Sequence, residues 1–280
     1  MRKIQPPLEY TTEVGSLPII IEDALLQEPN LWTAGKKPIG PVKIDWTHPL
    51  SAGLVGAFLL DSKVVLNLAT QNVDGLWDAT DPPIIRVGDG EKCTYFKSST
   101  SDQFNGDYLY PFYNSVAPPD SDDFSVAIKF RHDFVPVATQ FPYLIHTREV
   151  DNKRFVISLN GNTSGVLSLD INNATGDSQT DVDSITIDIN THYNVVATYA
   201  DSGDRKARLH VLGTTYTAAS ALTGTLSPYR STEGGVVLGD FNDGKAVSGD
   251  ISYFFMWRRK LSDEEAHEFN RDPYQFLIPA

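Results

Sequence analysis

The sequence predicts an all-β sandwich with very little helix, and three observations predict it. The 280 residues are rich in the β-branched and aromatic side chains that suit a pleated, half-buried surface, while 20 Gly and 17 Pro supply frequent turns. Apolar runs of strand length recur along the chain, separated by turn residues, as in a sandwich or barrel. One well-formed helix signal stands near the C-terminus. At this length, one large β domain with an extension fits better than two small domains, and it can bury a sizeable core.

The charge balance narrows the partners. With 23 basic and 36 acidic residues the formal charge is −13, which repels nucleic acid phosphates and anionic membranes, so neither is expected as a partner. Cys93 is alone, which rules out an intrachain disulfide and leaves a buried thiol as its reading. Met1 to Pro7 has basic residues but no apolar run behind them, so no secretion signal is expected. The longest apolar run, Leu54 to Leu60, is too short to cross a bilayer. The expectation is a soluble chain made in a cytoplasm that leaves a cell by lysis or as part of a particle.

Residues 1–45 carry six prolines (Pro6, Pro7, Pro18, Pro29, Pro38 and Pro41) and no sustained period apart from a short helix signal near Ile21 to Gln27. Such a composition suits an extended arm that lies on another body. The sandwich itself is expected over residues 46–280. Gly53 to Leu60 reads as its first core strand, bounded by Asp61, and Asn72-Val73-Asp74-Gly75-Leu76 follows with an Asp-Gly turn signal. Cys93 to Phe96 and Tyr108 to Tyr110 read as two strands joined by a polar turn. Phe124 to Phe130 alternates with period two, placing Phe124, Val126, Ile128 and Phe130 on one side of a half-buried strand.

Tyr143 to His146, Arg154 to Leu159 and Gly165 to Leu169 continue as short strands. His192 to Tyr199 and Arg208 to Val211 form a hairpin across Asp201-Ser202-Gly203-Asp204. Gly249 to Trp257 is an aromatic, β-branched run too short for a helix, and reads as a buried strand. Ser262 stands three residues before Glu265, the spacing of a capping box, so a helix is expected over about Asp263 to Asn270. Leu261, Ala266 and Phe269 face the sheet in this reading, and Pro273 prevents continuation.

Two of these stretches resemble laminin-G-like, concanavalin A-like jelly-roll domains of the kind found in bacteriophage and prophage structural proteins. Gly249, Ile251, Trp257, Arg259, Leu261, Ser262, Glu264 and Glu265 match the family's closing strand, Arg-x-Leu-Ser turn and acidic helix, with Ser252-Tyr253 in place of an Asp-Glu pair. Gly53-Leu54-Val55 matches the opening strand. His192 stands where Trp is usual and Leu212 where Asn is usual. The resemblance implies a jelly-roll sandwich in which the first and last strands are neighbours and the chain ends lie close together. It also implies a non-enzymatic virion protein, a capsid decoration or a fibre or tail subunit. In that reading residues 1–45 grip other virion proteins, the copies form a homo-oligomer or multicopy array, and a cell-surface glycan is a candidate ligand. A polysaccharide-cleaving enzyme on the same sandwich is the alternative, and a purely structural subunit is a third reading.

The search for chemistry yields two candidate sites. Tyr108, Tyr110, Phe112 and Tyr113 either form an aromatic platform for sugar C–H faces beside Asp107 and Asn114, or belong to the core, since Tyr108 and Tyr110 share a strand face. Asp240, Asn242 and Asp243 offer oxygen ligands for calcium, although the spacing is not that of an EF-hand; otherwise no cofactor is expected. Gly239 to Lys245 approaches a phosphate-binding loop, but it opens no helix and Ala246 supplies no hydroxyl for magnesium. Glu149 and Asp151 begin a glucanase-like Glu-x-Asp pattern that Asn152, Lys153 and Arg154 break. The six histidines show no zinc spacing, and the sequons at Asn162 and Asn173 read as unmodified turns.

Overall fold

The computed structural model describes residues 36–38, 40–73, 75–78, 84–97, 108–111, 122–134, 136, 142–147, 154–160, 165–228, 236–239 and 248–280, with the backbone alone at 76–78, 108 and 110. Its first ten strands are β1 (Val42–Ile44), β2 (Leu54–Leu59), β3 (Leu66–Asn67), β4 (Asn72–Val73), β5 (Leu76–Asp78), β6 (Ile84–Gly88), β7 (Glu91–Phe96), β8 (Tyr108–Tyr110), β9 (Asp123–His132) and β10 (Tyr143–Thr147). Then come β11 (Phe155–Asn160), β12 (Val166–Asn172), β13 (Gln179–Thr186), β14 (His192–Ala200), β15 (Arg208–Val211), β16 (Thr214–Thr217), β17 (Val236–Gly239), β18 (Gly249–Trp257), α1 (Asp263–Arg271) and β19 (Leu277–Pro279).

These strands make two large antiparallel sheets packed face to face, and β1 and β19 form a separate two-stranded ribbon. The larger runs β16-β15-β14-β9-β18-β2-β3-β4, with β7 beside β18 and β6 beside β7. The smaller runs β13-β12-β11-β10-β17-β8-β5. Phe124, Val126, Ile128 and Phe130 of β9 meet Phe155, Ile157, Leu167 and Leu169 of the facing sheet in one continuous buried core. The expected neighbours β2 and β18 do pair, Tyr253 opposite Leu59 and Phe255 opposite Ala57.

β18 organises the larger sheet. One edge runs along β9, and the other is shared between β7 (Gly249–Ile251) and β2 (Tyr253–Trp257). The pairing with β9 slips between Ile251 and Tyr253, where the extra residue Ser252 makes a bulge. Because strand side chains alternate, that bulge reverses the phase. Ile251, Phe254 and Met256 enter the inter-sheet core, while Tyr253, Phe255 and Trp257 point the other way.

The opposite face is therefore covered as well. Tyr253, Phe255 and Trp257 pack with Leu261, Ala266 and Phe269 of the α1 region and with Tyr274 and Phe276 of the tail in a second buried cluster. Phe255 meets Phe269 edge-on at 5.6 Å and Phe276 at 5.4 Å between ring centroids. The expectation of a half-buried β9 is corrected by the same layer. Its off-core residues Ser125, Ala127 and Lys129 are buried too, because helix and tail lie across them.

The Arg-x-Leu-Ser turn explains how the helix is seated. Arg259 donates to Ala52 O (2.7 Å) and Pro49 O (3.3 Å), and forks onto Glu265 at 2.7 and 2.8 Å. Leu261 N–H donates to Ser125 Oγ (2.8 Å), which itself donates to Arg259 O (2.9 Å). Ser262 and Glu265 form the expected capping box. Trp257 Nε1 donates to Leu50 O at 2.6 Å, fastening the segment before β2 to the end of β18.

One sequence expectation about strand pairing needs correction. β7 and β8 are not a hairpin: β7 pairs with β18 and β6 in the larger sheet, and β8 with β17 and β5 in the smaller. The partner of β7 is β6, joined through Asp89-Gly90, both with positive φ, the two-residue turn that suits a twisted hairpin. At the β15–β16 turn, Leu212 (φ 50°) occupies a position where Asn is favoured, and it is 69% exposed.

The end of the proline-containing leader lies on the sandwich itself. Val42–Ile44 pairs with Leu277–Pro279, and Ala280 N–H donates to Pro41 O at 3.1 Å. Lys37 is buried and donates through Nζ to Lys92 O (3.1 Å), with Asp61 at 3.2 Å. Its backbone N–H donates to Glu91, which also accepts from Tyr274 Oη (2.8 Å) and faces Lys129 Nζ at 3.1 Å. Leader, β7, β9 and tail thus meet on one buried carboxylate. Residues 1–35, with the helix signal at Ile21 to Gln27, lie outside the described residues.

Two substitutions test this architecture. Phe255→Ala is expected to lower unfolding stability by about 3–5 kcal/mol, from lost burial and the cavity left behind, read from urea denaturation. Glu91→Ala strands Lys129 and should cost about 3 kcal/mol, at the low end for a broken buried pair because Asp89 still faces that lysine at 3.2 Å.

Candidate functional site

The two broad outer faces of the sandwich differ. That of the larger sheet is closed by α1 and the tail. That of the smaller sheet carries a polar strip, and strand register defines it. Ile157 and Leu159 of β11 enter the core, so Val156 and Ser158 point away from it. Across the strands, Val237, His146, Val156, Asp170 and Asp181 lie in one row, and Tyr143, Ser158, Ser168 and Asp183 in the next.

The strip has a sunken floor and an open flank. His146, Ser158 and Ser168 point away from the core yet are only 1%, 4% and 5% exposed, an unusual condition for polar side chains on the outer face of a sheet. Tyr143 lies over His146, ring centroids 5.2 Å apart, and His146 Nδ1 pairs with Thr147 O at 3.0 Å. On the flank, Asp181 and Asp183 are exposed and Asp170 is half-buried. Ser168 donates its hydroxyl to the Asp183 carboxylate, which orients both groups.

Chemically, the arrangement offers carboxylate and hydroxyl acceptors in a row beside an aromatic ring. Paired hydroxyl donors of a neutral sugar match the carboxylates, and a C–H face matches the ring. Among the described residues, no group of three or more His, Cys, Asp or Glu side chains is placed to hold a metal ion.

The sequence-derived candidates fall elsewhere. Tyr108 and Tyr110 lie in β8, pairing with Asp78 and Leu76, and Leu109 between them is buried in the core. Their side chains lie outside the described residues, as do Phe112, Tyr113, Asp240, Asn242 and Asp243, and the Glu149 and Asp151 pair. Asn173 of the second sequon is 2% exposed and donates to Asp177 Oδ1 (2.6 Å) and Thr223 O (3.0 Å), so it holds a turn. The outer-face residues were missed, although two signals were present. Ser158 and Ser168 are the polar alternates of runs already read as strands, and Asp181-Val182-Asp183 is an alternating acidic triplet.

No protein-family model matches the chain, and no curated protein matches it. Solved structures do. The binding domain of Paraclostridial Mosquitocidal Protein 1 aligns at 16% identity over 78% of this chain and 52% of that one, with a TM-score of 0.54. The binding domain of botulinum neurotoxin DC, in complex with SialylT, aligns at 11% identity over 78% and 51%, with a TM-score of 0.55. Domain 4 of AbnA, a GH43 extracellular arabinanase from Geobacillus stearothermophilus, in complex with arabinotriose, aligns at 11% identity over 78% and 98%, with a TM-score of 0.52. The chain spans about half the length of the two toxin binding domains. At these identities the likeness shows a shared fold, and this chain is a β-sandwich of that architecture.

Proposed function

We propose that this chain is a non-catalytic carbohydrate-binding sandwich whose ligand lies on the outer face of the smaller sheet. The observation that carries the reading is the sunken polar strip of Tyr143, His146, Ser158 and Ser168 flanked by Asp170, Asp181 and Asp183, on the broad face left uncovered by α1. The arabinotriose in the AbnA domain supports a sugar as the ligand class. The exposed carboxylates of Asp181 and Asp183 are acceptors suited to the adjacent hydroxyl donors of a neutral saccharide. In this proposal the sandwich is laminin-G-like and sits on a virion surface, as a capsid decoration or fibre subunit. Its leader grips neighbouring proteins and its sugar contacts attach the particle to a cell. That setting follows from the resemblance of the opening and closing strands.

The test is a panel of neutral and sialylated oligosaccharides followed by titration calorimetry. Neutral glycans are expected to bind, and Asp183→Ala to weaken them about 10-fold or more, the worth of a charge-assisted hydrogen bond, with little change in thermal stability. Chelation by EDTA addresses calcium at Asp240, Asn242 and Asp243: affinity carried by the outer face survives it. Absence of binding across the panel overturns the proposal in favour of a structural subunit. Release of new reducing ends from a polysaccharide overturns it in favour of hydrolysis, with Asp170 and Asp181, which face one another across β12 and β13, as the carboxylates to replace.

A further inference from the structure

Beneath α1, four polar side chains form a hydrogen-bonded chain that neither the cores nor the ligand face use. His210 of β15 is fully buried, with Nε2 3.2 Å from Thr198 Oγ1 of β14 and Nδ1 3.0 Å from Thr215 Oγ1 of β16. Thr215 Oγ1 lies 2.9 Å from Nε2 of His267 on α1, and the two rings meet edge-on at 5.5 Å. His267 Nδ1 is buried without a hydrogen-bond partner. Asn270 adds a second tie from the helix, donating to His210 O at 2.8 Å.

Proton counting gives this chain a property that neither ring has alone. Thr215 owns one hydroxyl proton, so it donates to one imidazole and accepts from the other. With both rings neutral, every contact in the chain is satisfied. One added proton is also accommodated: a cationic His267 donates from Nε2 to Thr215, Thr215 turns its own proton to His210 Nδ1, and neutral His210 donates from Nε2 to Thr198. A second proton is not. Thr215 then faces two N–H donors with its own hydrogen unplaced, between two cations.

We propose that the Thr198, His210, Thr215 and His267 chain is a proton-operated latch, which accepts one proton and lets go of α1 on the second. The charged groups around it set the response. Asp263 of α1, 4.0 Å from His210 Nε2, favours a proton on His210, and Glu264 lies near His267. Lys260 and Arg208 oppose it, Arg208 being held by Asp204 at 3.0 Å. Burial is the largest influence and pushes His210 down to about 4, with the second imidazole adding to it. A folded pKa below the ordinary 6.5 means that the unfolded or undocked state binds more protons. The latch is therefore fully closed above about pH 6.5 and weakens as pH falls toward 4.

The test is hydrogen–deuterium exchange on the full chain at pH 7.5 and pH 4.5, corrected for intrinsic rates. Peptides covering α1 are expected to lose protection by about tenfold or more at the lower pH while β9 and β18 keep theirs. His267→Gln retains a polar partner for Thr215 but takes no proton, so it should shrink the acid loss of α1 protection, leaving only the part set by burial of His210. In the same variant the His210 imidazole resonance should titrate at higher pH, since the neighbouring cation is gone. Loss of protection that is uniform across α1, β9 and β18 overturns the proposal. So does an acid response undiminished in His267→Gln, or a His210 titration unmoved by that change.

Discussion

The structure depends on one strand being buried on both faces. β18 lies inside the larger sheet with partners on either edge, and all nine of its residues are buried. A strand in that position has no solvent side, so its hydrogen bonds are met within the sheet and each face needs its own apolar cover. The smaller sheet covers one. The other is covered by α1 and the tail, which makes that short helix part of the core and not an appendage. Arg259, Ser125 and the capping box of Ser262 and Glu265 serve this requirement: they hold the helix at the distance at which Phe269 reaches Phe255 and Trp257.

Much of this was legible in the sequence because local and long-range signals agreed. The aromatic run at Gly249 to Trp257, the alternation at Phe124 to Phe130 and the Ser262 to Glu265 spacing each named their own element, and β2 beside β18 followed from the family's pattern of ends. What was not legible depended on a third dimension. The Ser252 bulge leaves no local mark, yet it decides that Tyr253 and Ile251 face opposite layers although they are two residues apart. Ser125, Ala127 and Lys129 look like a solvent face until the tail is laid over them. The β6–β7 hairpin was announced by Asp89-Gly90 and overlooked, and β8 was assigned to it because nothing local tells which sheet a three-residue strand will join.

The candidate ligand face was hidden for a related reason. Its members come one or two at a time from β10, β11, β12, β13 and β17, and become neighbours only through register. An aromatic cluster contiguous in sequence, such as Tyr108 to Tyr113, draws attention more readily than serines and aspartates dispersed over the 26 residues from Ser158 to Asp183. In a sandwich, polar alternates on strands of the sheet that α1 does not cover are the place to look, because they are turned away from the core.

The β1–β19 ribbon has a mechanical consequence. Val42 pairs with Pro279 and Ile44 with Leu277, so the chain enters and departs at the same end of the ribbon. Tension applied between the leader and the tail would open that ribbon one rung at a time, like a zip, and would not load its rungs together as shear does. On the leader side the load falls first on Lys37, which precedes β1 and is seated against Asp61 and Glu91; on the tail side it reaches Tyr274, bonded to the same glutamate, once the ribbon has opened. A body hauling on the tail would meet a yielding first stage and a firm second one before the strain reached β18, and one hauling on the leader would meet the firm anchor first.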